Sequence, residues 1–460
     1  MTFRTILEPA RRSTLLLGAG LALAAALAIA VVAIALRRPA APPAPPSALA
    51  PEPQLVRYRH PLAAAAAAAG AAAPDLDAEI TALEARLGGA SAPATSPMDL
   101  AELADLYLRR AKLTGERKDY EAAEATAQRS LALLPSPNGA VLVLAGLASN
   151  RHDFGRAIEL ARRHMGGHSR GALLVLATSH LALGELPAAS AAAEELVEQE
   201  PNTASYLMRA LVLQAQGRDA EAAFDFARAA AADEPGDVEE PARLRALWGR
   251  FLLRRGELAG ARLVLAEALR IAPGHPLALA QEGELLLRTG RAKEASARFE
   301  QAFAASRQVR YLIDQARAQE LLGDRPGADR LRAQVEKLVR PELVEGGLGH
   351  RLELAEVLID RGDPADLTEA AALAREEVTS RPSVDARFQL ARALARTGNR
   401  GEALRQVHAA LASGAREAQL FELASRLERQ RGNAARAALY TREADRLDPG
   451  ASGWRQAGLP

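Results

Sequence analysis

From Met98 onward, apolar residues recur at spacings of three and four in short blocks that glycine interrupts and proline closes. The stretch 243–275, RLRALWGRFLLRRGELAGARLVLAEALRIAPGH, shows the pattern. Leu244, Leu247, Trp248 and Leu252 share one face of a first block around the small residue Gly249. Leu258, Ala261, Leu265, Ala268 and Leu269 share one face of a second, with Gly256 between the blocks and Pro273 at the exit. This spacing predicts helix, tight turn, helix. A pair of that size cannot bury its own apolar stripes and needs copies stacked on both sides. The next copy follows at once, LALAQEGELLLRTGRAKEASARFEQAFAAS, with Gly283, Gly290, Ala295, Phe299 and Ala302 in matching places.

The turn glycines Gly184, Gly217, Gly256, Gly290, Gly323, Gly362, Gly398 and Gly432 are spaced by 33, 39, 34, 33, 39, 36 and 34 residues. Small residues mark the first helices (Ala145, Ala177, Ala210, Gly249, Gly283) and alanines the second (Ala157, Ala189, Ala222, Ala261, Ala295). Small side chains there let two helices approach closely. In period and in these positions the chain resembles the tetratricopeptide repeat (TPR) superhelical proteins, of the bacterial membrane-anchored type. The resemblance implies an all-α fold, a right-handed superhelix of about ten TPR-like helix-turn-helix units. Two parts are expected, 98–341 and 342–449, separated by the interrupting segment VRPELVEGGLGH (339–350), with a tail at 450–460. The first unit is expected to have a lengthened turn, LTGERKDY.

Ahead of the array, residues 13–36 form an uncharged run that as a helix would be about 36 Å long, enough to cross a ~30 Å hydrocarbon core. It predicts one transmembrane helix after a short cytoplasmic segment, 1–12. Arginines on both flanks give a weak preference for an extracytoplasmic body. The expected location is thus the inner membrane, single-pass, with the repeats in the periplasm; a cleaved signal peptide is the rival reading. Residues 37–97 read as a Pro/Ala-rich linker with a short amphipathic helix near 75–87, and Ser96-Pro97 as the cap of the first repeat helix.

Composition narrows the function. The chain carries 58 basic and 57 acidic residues, net +1, which argues against a general polyanion binder and against nucleic acid as partner. It has no cysteine, hence no disulfide, thiolate metal site or cysteine nucleophile. No catalytic constellation stands out. Gly346-Gly347-Leu348-Gly349 lacks the lysine of a phosphate loop, and glycines break the helix between His164 and His168, so hinge and surface roles are the simpler readings. His180 reads as a packed core histidine. The chain is expected to be no enzyme and to need no cofactor or metal.

The TPR resemblance also implies that the first helix of each unit lines the concave side. Its early groove then presents Leu142, Gly146, Leu174, Thr178, Leu207, Leu211 and Gln214. Those positions lack the lysine and asparagine with which some TPR domains grip a C-terminal carboxylate. Its later groove presents Arg250, Arg254, Arg288, Arg317, Arg392, Arg396, Arg426 and Arg429, with Glu284 as the acidic exception. These eight arginines are the candidate partner-binding residues, since clustered guanidinium groups suit carboxylates and phosphates. Reversing Arg392, Arg396 and Arg426 to glutamate should then abolish partner binding and leave helicity intact. The expected function is a membrane-anchored scaffold for protein–protein interactions in cell-envelope assembly or secretion. Alternatives are a cytoplasm-facing adaptor for soluble partners and an accessory subunit of a polysaccharide machine.

Overall fold

Each block closes into a helix where its turn glycine takes left-handed backbone. All eight turn glycines do so, from Gly184 at φ 74° to Gly432 at φ 80°, a region that costs a residue with a Cβ about 1–2 kcal/mol. The result, in a computed structural model that describes His60 and residues 76–88, 96–233, 238–344 and 349–449, is an array of ten helix pairs. The first helix of each pair is termed A and the second B. Pairs 1 to 5 are Pro97–Thr114 with Arg117–Leu133, Ala140–Asn150 with Phe154–Arg163, Arg170–Ala182 with Leu186–Gln199, Thr203–Ala215 with Asp219–Ala231, and Glu239–Arg254 with Leu258–Ile271. Pairs 6 to 10 are Pro276–Arg288 with Ala292–Ser306, Val309–Leu321 with Arg325–Val344, Arg351–Arg361 with Pro364–Ser380, Val384–Arg396 with Arg400–Ala412, and Ala418–Gln430 with Ala434–Leu447. The described residues contain no strand. The fold is an all-helical, TPR-like solenoid.

The helix Leu76–Gly88 seals the front of the array by packing Ile80 and Leu83 against Leu103 and Leu106. Ser96 caps the first A helix by accepting from the Asp99 amide, with Pro97 at its first turn. The small A-helix residues sit where a B helix inserts a large side chain. A Cβ on Gly249 would lie 2.5 Å from Leu265, and one on Gly283 would lie 2.7 Å from the Phe299 ring. Between pairs 4 and 5, Phe226 stacks on Trp248 at 6.2 Å and packs on Phe251 at 5.2 Å, which ties one unit to the next. Aromatic burial of this kind makes each interface a term in the solenoid's stability.

The array also closes on itself. The A–B turns of the early pairs rest on the loops that follow much later pairs. A Cβ on Gly115 would lie 2.4 Å from the Ser306 carbonyl, and one on Gly256 would lie 2.5 Å from that of Pro449. The Arg416 amide donates to the Ala215 carbonyl at 3.0 Å. Arg381 donates to the carbonyl of His152, 229 residues away, and lies over the Phe154 ring. A seam therefore joins pairs 1–5 to the ends of pairs 6–10. Successive A helices pack on one another more closely than successive B helices do, so the A helices line the concave side, termed the lumen below.

Three expectations change. The first turn is not lengthened: it is Gly115-Glu116 alone, because its A helix runs on to Thr114. The interrupting segment is shorter than 339–350, since the B helix of pair 7 continues through Pro341 to Val344. The single-pass membrane location is withdrawn. Among the described residues no helix is long and apolar enough to cross a membrane, and the run 13–36 on which that reading stood lies outside them. Residues 1–12, the linker ahead of residue 76 apart from His60, Gly346–Leu348 and the tail 450–460 lie outside them as well.

Candidate functional site

Of the eight candidate arginines, Arg288, Arg317 and Arg392 sit in ion pairs. Arg317 pairs with Asp314 at 3.2 Å and with Glu356 of the next A helix. Arg392 donates to Asp360 at 2.7 Å. Arg310, which the sequence pattern did not single out, joins Glu356 at 2.5 Å. Burial pushes the Glu356 carboxyl up, yet Arg310, Arg317 and Arg392 together hold it below the usual carboxylate range. The core of the lumen across pairs 7 to 9 is thus a compensated ion-pair network.

Two further arginines act at helix ends. Arg288 donates to the Leu253 carbonyl and pairs with Glu284 and Asp448. Arg396 donates to the Ile359 carbonyl at 3.3 Å. Each caps the C-terminus of the preceding A helix, where unsatisfied carbonyls and the helix dipole favour a cation. Arg426 and Arg429 stand exposed on the last A helix, apart from the network.

Arg250 and Arg254 also stand apart from the network. Both project from the A helix of pair 5, and neither enters an ion pair among the described residues. The Arg250 Nε is shut off from water and has no hydrogen-bond partner. Burial, followed by the neighbouring Arg254 charge, lowers the Arg250 guanidinium to about 10. The charges that act on it from across the lumen are Glu417 and Asp385. Asp385 is pushed up to about 6, first by burial and then by Glu417, while Arg254 and Arg310 oppose the shift. Glu353 is raised for the same first reason. Yet Asp385 and Arg254 keep exposed side chains and Glu353 and Glu417 keep part of theirs. The group is thus crowded by protein and still reached by water.

The lumen is therefore not the basic groove that a count of arginines suggests. Its acids come from positions that the one-helix pattern does not connect to the arginines. Asp385 lies in the first turn of the A helix of pair 9, and Glu417 is the N-cap residue of the A helix of pair 10. In the early groove, Leu174 is exposed and Leu207 is core, only 1% exposed. Chemistry elsewhere is sparse. His164 bonds Ser169 at 2.8 Å whereas His168 bonds Glu195 at 2.6 Å, so the two rings diverge. His180 is buried against Glu185. Among the described residues no group of histidine and acidic side chains could hold a metal ion.

No family model matches the sequence, and no characterised protein matches it. Solved structures of TPR-type helical proteins are similar in architecture. The human IFIT1 dimer with PPP-AAAA is 16% identical, with 82% of this chain and 95% of that one covered and a TM-score of 0.45. The APC/C Cut9–Hcn1 assembly gives 13% identity, 79% and 90% coverage and a TM-score of 0.39. Yeast Tom70 gives 13% identity, 89% and 95% coverage and a TM-score of 0.38.

Proposed function

We propose that this chain is a protein-interaction scaffold whose lumen holds an extended segment of a partner polypeptide. The observation that carries the reading is a set of charged groups that no ion pair takes up, among them the Arg250 guanidinium with its buried, unpartnered Nε. Arg250, Arg254, Glu353, Asp385 and Glu417 stay outside the ion-pair network that neutralises Arg310, Arg317 and Arg392. Leaving a buried guanidinium N–H unpaired is costly, and a ligand that accepts from the Arg250 Nε recovers that cost. A rigid solenoid suits this mode of binding because its surface is pre-organised and loses little entropy on association. The acids also weigh against the polysaccharide alternative, since an anionic polymer would meet Glu353, Asp385 and Glu417. The envelope-assembly and secretion roles rested on the membrane location and are not carried forward.

A photo-crosslinking residue at Arg254, in the lumen, and another at Leu439, exposed on the outer B helix of pair 10, test the reading in cells. A polypeptide adduct from the lumen position alone is expected. Adducts from Leu439 alone, or from both positions alike, would overturn it.

A further inference from the structure

His60 lies ahead of the repeats, yet it docks on a helix 207 residues further along the chain. One ion pair on the B helix of pair 5 reads its backbone at both polar atoms. The His60 amide donates to the Glu267 Oε1 at 2.9 Å, and the Arg270 Nη2 donates to the His60 carbonyl at 3.4 Å. Glu267 and Arg270 also hold each other, Nε to Oε2 at 2.7 Å, as side chains one helical turn apart can. The imidazole is buried, 1% exposed, and neither ring nitrogen has a hydrogen-bond partner. The charges that act on it are Asp233 from the end of pair 4, Arg245 from the A helix of pair 5, and Glu267 and Arg270 from its B helix. Arg245 and Asp233 meet at 2.7 Å with side chains 2% and 3% exposed. Two cations and two anions, each already matched, make a seat that suits an uncharged ring.

The seam gives this contact its meaning. The turn of pair 1 rests on Ser306 at the end of pair 6, and the turn of pair 5 rests on Pro449 after pair 10. An element one step ahead of pair 1 therefore falls opposite the end of pair 5, and Glu267 and Arg270 stand near the end of Leu258–Ile271. His60 is the first rung of the seam, supplied from outside the repeats. We propose that His60 is a latch at the front of the seam, closed while its ring is neutral and opened by acid. Burial, the largest influence, lowers the docked imidazole; Asp233 and Glu267 act against the shift, Arg245 and Arg270 with it. A free imidazole protonates at about 6.5. The docking stability is therefore complete above about 6.5 and is lost as pH falls through the lowered value. Glu267 does not share this titration. Burial raises its carboxyl, but Arg270 and the His60 amide hold it below the usual carboxylate range. Opening the latch leaves the seam to begin at Gly115 and Ser306, whatever the lumen holds.

Hydrogen–deuterium exchange of the full chain, read at the His60 amide and corrected for the intrinsic effect of pH, tests the latch. The amide should be protected at about pH 7.5 and should lose protection towards about pH 5. The loss is at most about thirtyfold, the preference of a free imidazole for its proton at that pH. His60→Phe keeps a ring, cannot be protonated and removes two unpartnered buried nitrogens. It should raise protection at about pH 7.5 and abolish the pH response of this amide, although His152 still titrates elsewhere in the seam. Glu267→Ala should speed exchange at residue 60 at least roughly tenfold, because a charge-assisted bond to the amide is gone. Should Glu267→Ala lose helicity in far-UV circular dichroism, Arg270→Gln replaces it. An unprotected wild-type amide, protection unchanged by the clamp variant, or a pH response as large in His60→Phe as in the wild type would overturn the proposal.

Discussion

Arg288 and Asp448 stand 160 residues apart in the chain and meet through two contacts, Nη1 to Oδ1 at 3.1 Å and Nη2 to Oδ2 at 3.2 Å. Their side chains are only 6% and 2% exposed. The pair links pair 6 to the end of pair 10, so it locks the superhelical seam at its far end. Removing one partner of such a buried pair costs roughly 3–5 kcal/mol. Arg288→Met should lower the melting temperature and enlarge the radius of gyration in X-ray scattering at unchanged far-UV helicity. An unchanged radius would show that the seam holds without this pair.

Glycines at the turns separate backbone strain from seam contact. Gly256 and Gly290 have nearly the same left-handed φ, 70° and 76°. A Cβ at Gly256 collides with Pro449, whereas one at Gly290 meets nothing within 4 Å. Gly290→Ala should cost only the left-handed penalty, about 1–2 kcal/mol. Gly256→Ala should cost more and should loosen the seam as Arg288→Met does. Denaturant titration of the two variants measures the difference, and equal losses would contradict a packed seam.

His152 gives the seam a pH dependence. Burial first, then Arg381 and His350, lower its imidazole to about 4, against which Glu342 acts weakly. The folded state therefore keeps His152 neutral while the unfolded chain protonates it at about 6.5. The sign follows: the stability it contributes is complete above about 6.5 and is lost as pH falls towards 4. His152 also holds φ 60°, which asparagine tolerates better than most residues. His152→Asn keeps the carbonyl that Arg381 grips, and it should lose less stability than the wild type between pH 6.5 and pH 4. Melting curves across that interval check it; parallel losses in the two proteins would refute the role.

Arg392 changes meaning once its surroundings are known. From the repeat register it reads as a groove residue, and its reversal to glutamate as a clean test of binding. In the fold it is only 9% exposed and donates to Asp360, with Glu356 nearby. A glutamate there faces two carboxylates inside the lumen. Arg392→Glu should destabilise the fold by roughly 3–5 kcal/mol, seen as a lower chemical-denaturation midpoint. Arg426→Glu, on an exposed side chain, should change stability by less than about 0.5 kcal/mol. Similar midpoints for the two would mean that the network contributes little.

Helices, turns and pair count were legible because each depends on neighbours within one repeat. Apolar spacing places Leu244, Leu247 and Leu265 on buried faces, and a glycine at each turn follows from the left-handed backbone required there. Gly249 and Gly283 could be recognised as close-approach points for the same reason, since the intruding Leu265 and Phe299 lie one helix away. The charge on the lumen was not legible. The register assigns Arg250, Arg317 and Arg392 to the concave side, but whether each is free depends on Asp360, Glu356, Asp385 and Glu417, which come from other units.

The sequence by itself determined a stack of ten helix pairs with arginines on one helix of each later pair, because local periodicity and turn chemistry decide those features. Only the tertiary structure decided that the stack closes along a seam and that Arg288, Arg317 and Arg392 are already paired. Those outcomes depend on curvature accumulated over five or six units, which brings Arg288 to Asp448 and Arg381 to His152. No local pattern encodes that sum. It also leaves Arg250 and Arg254 with no ion pair to Asp385 or Glu417, although each set shifts the other's titration.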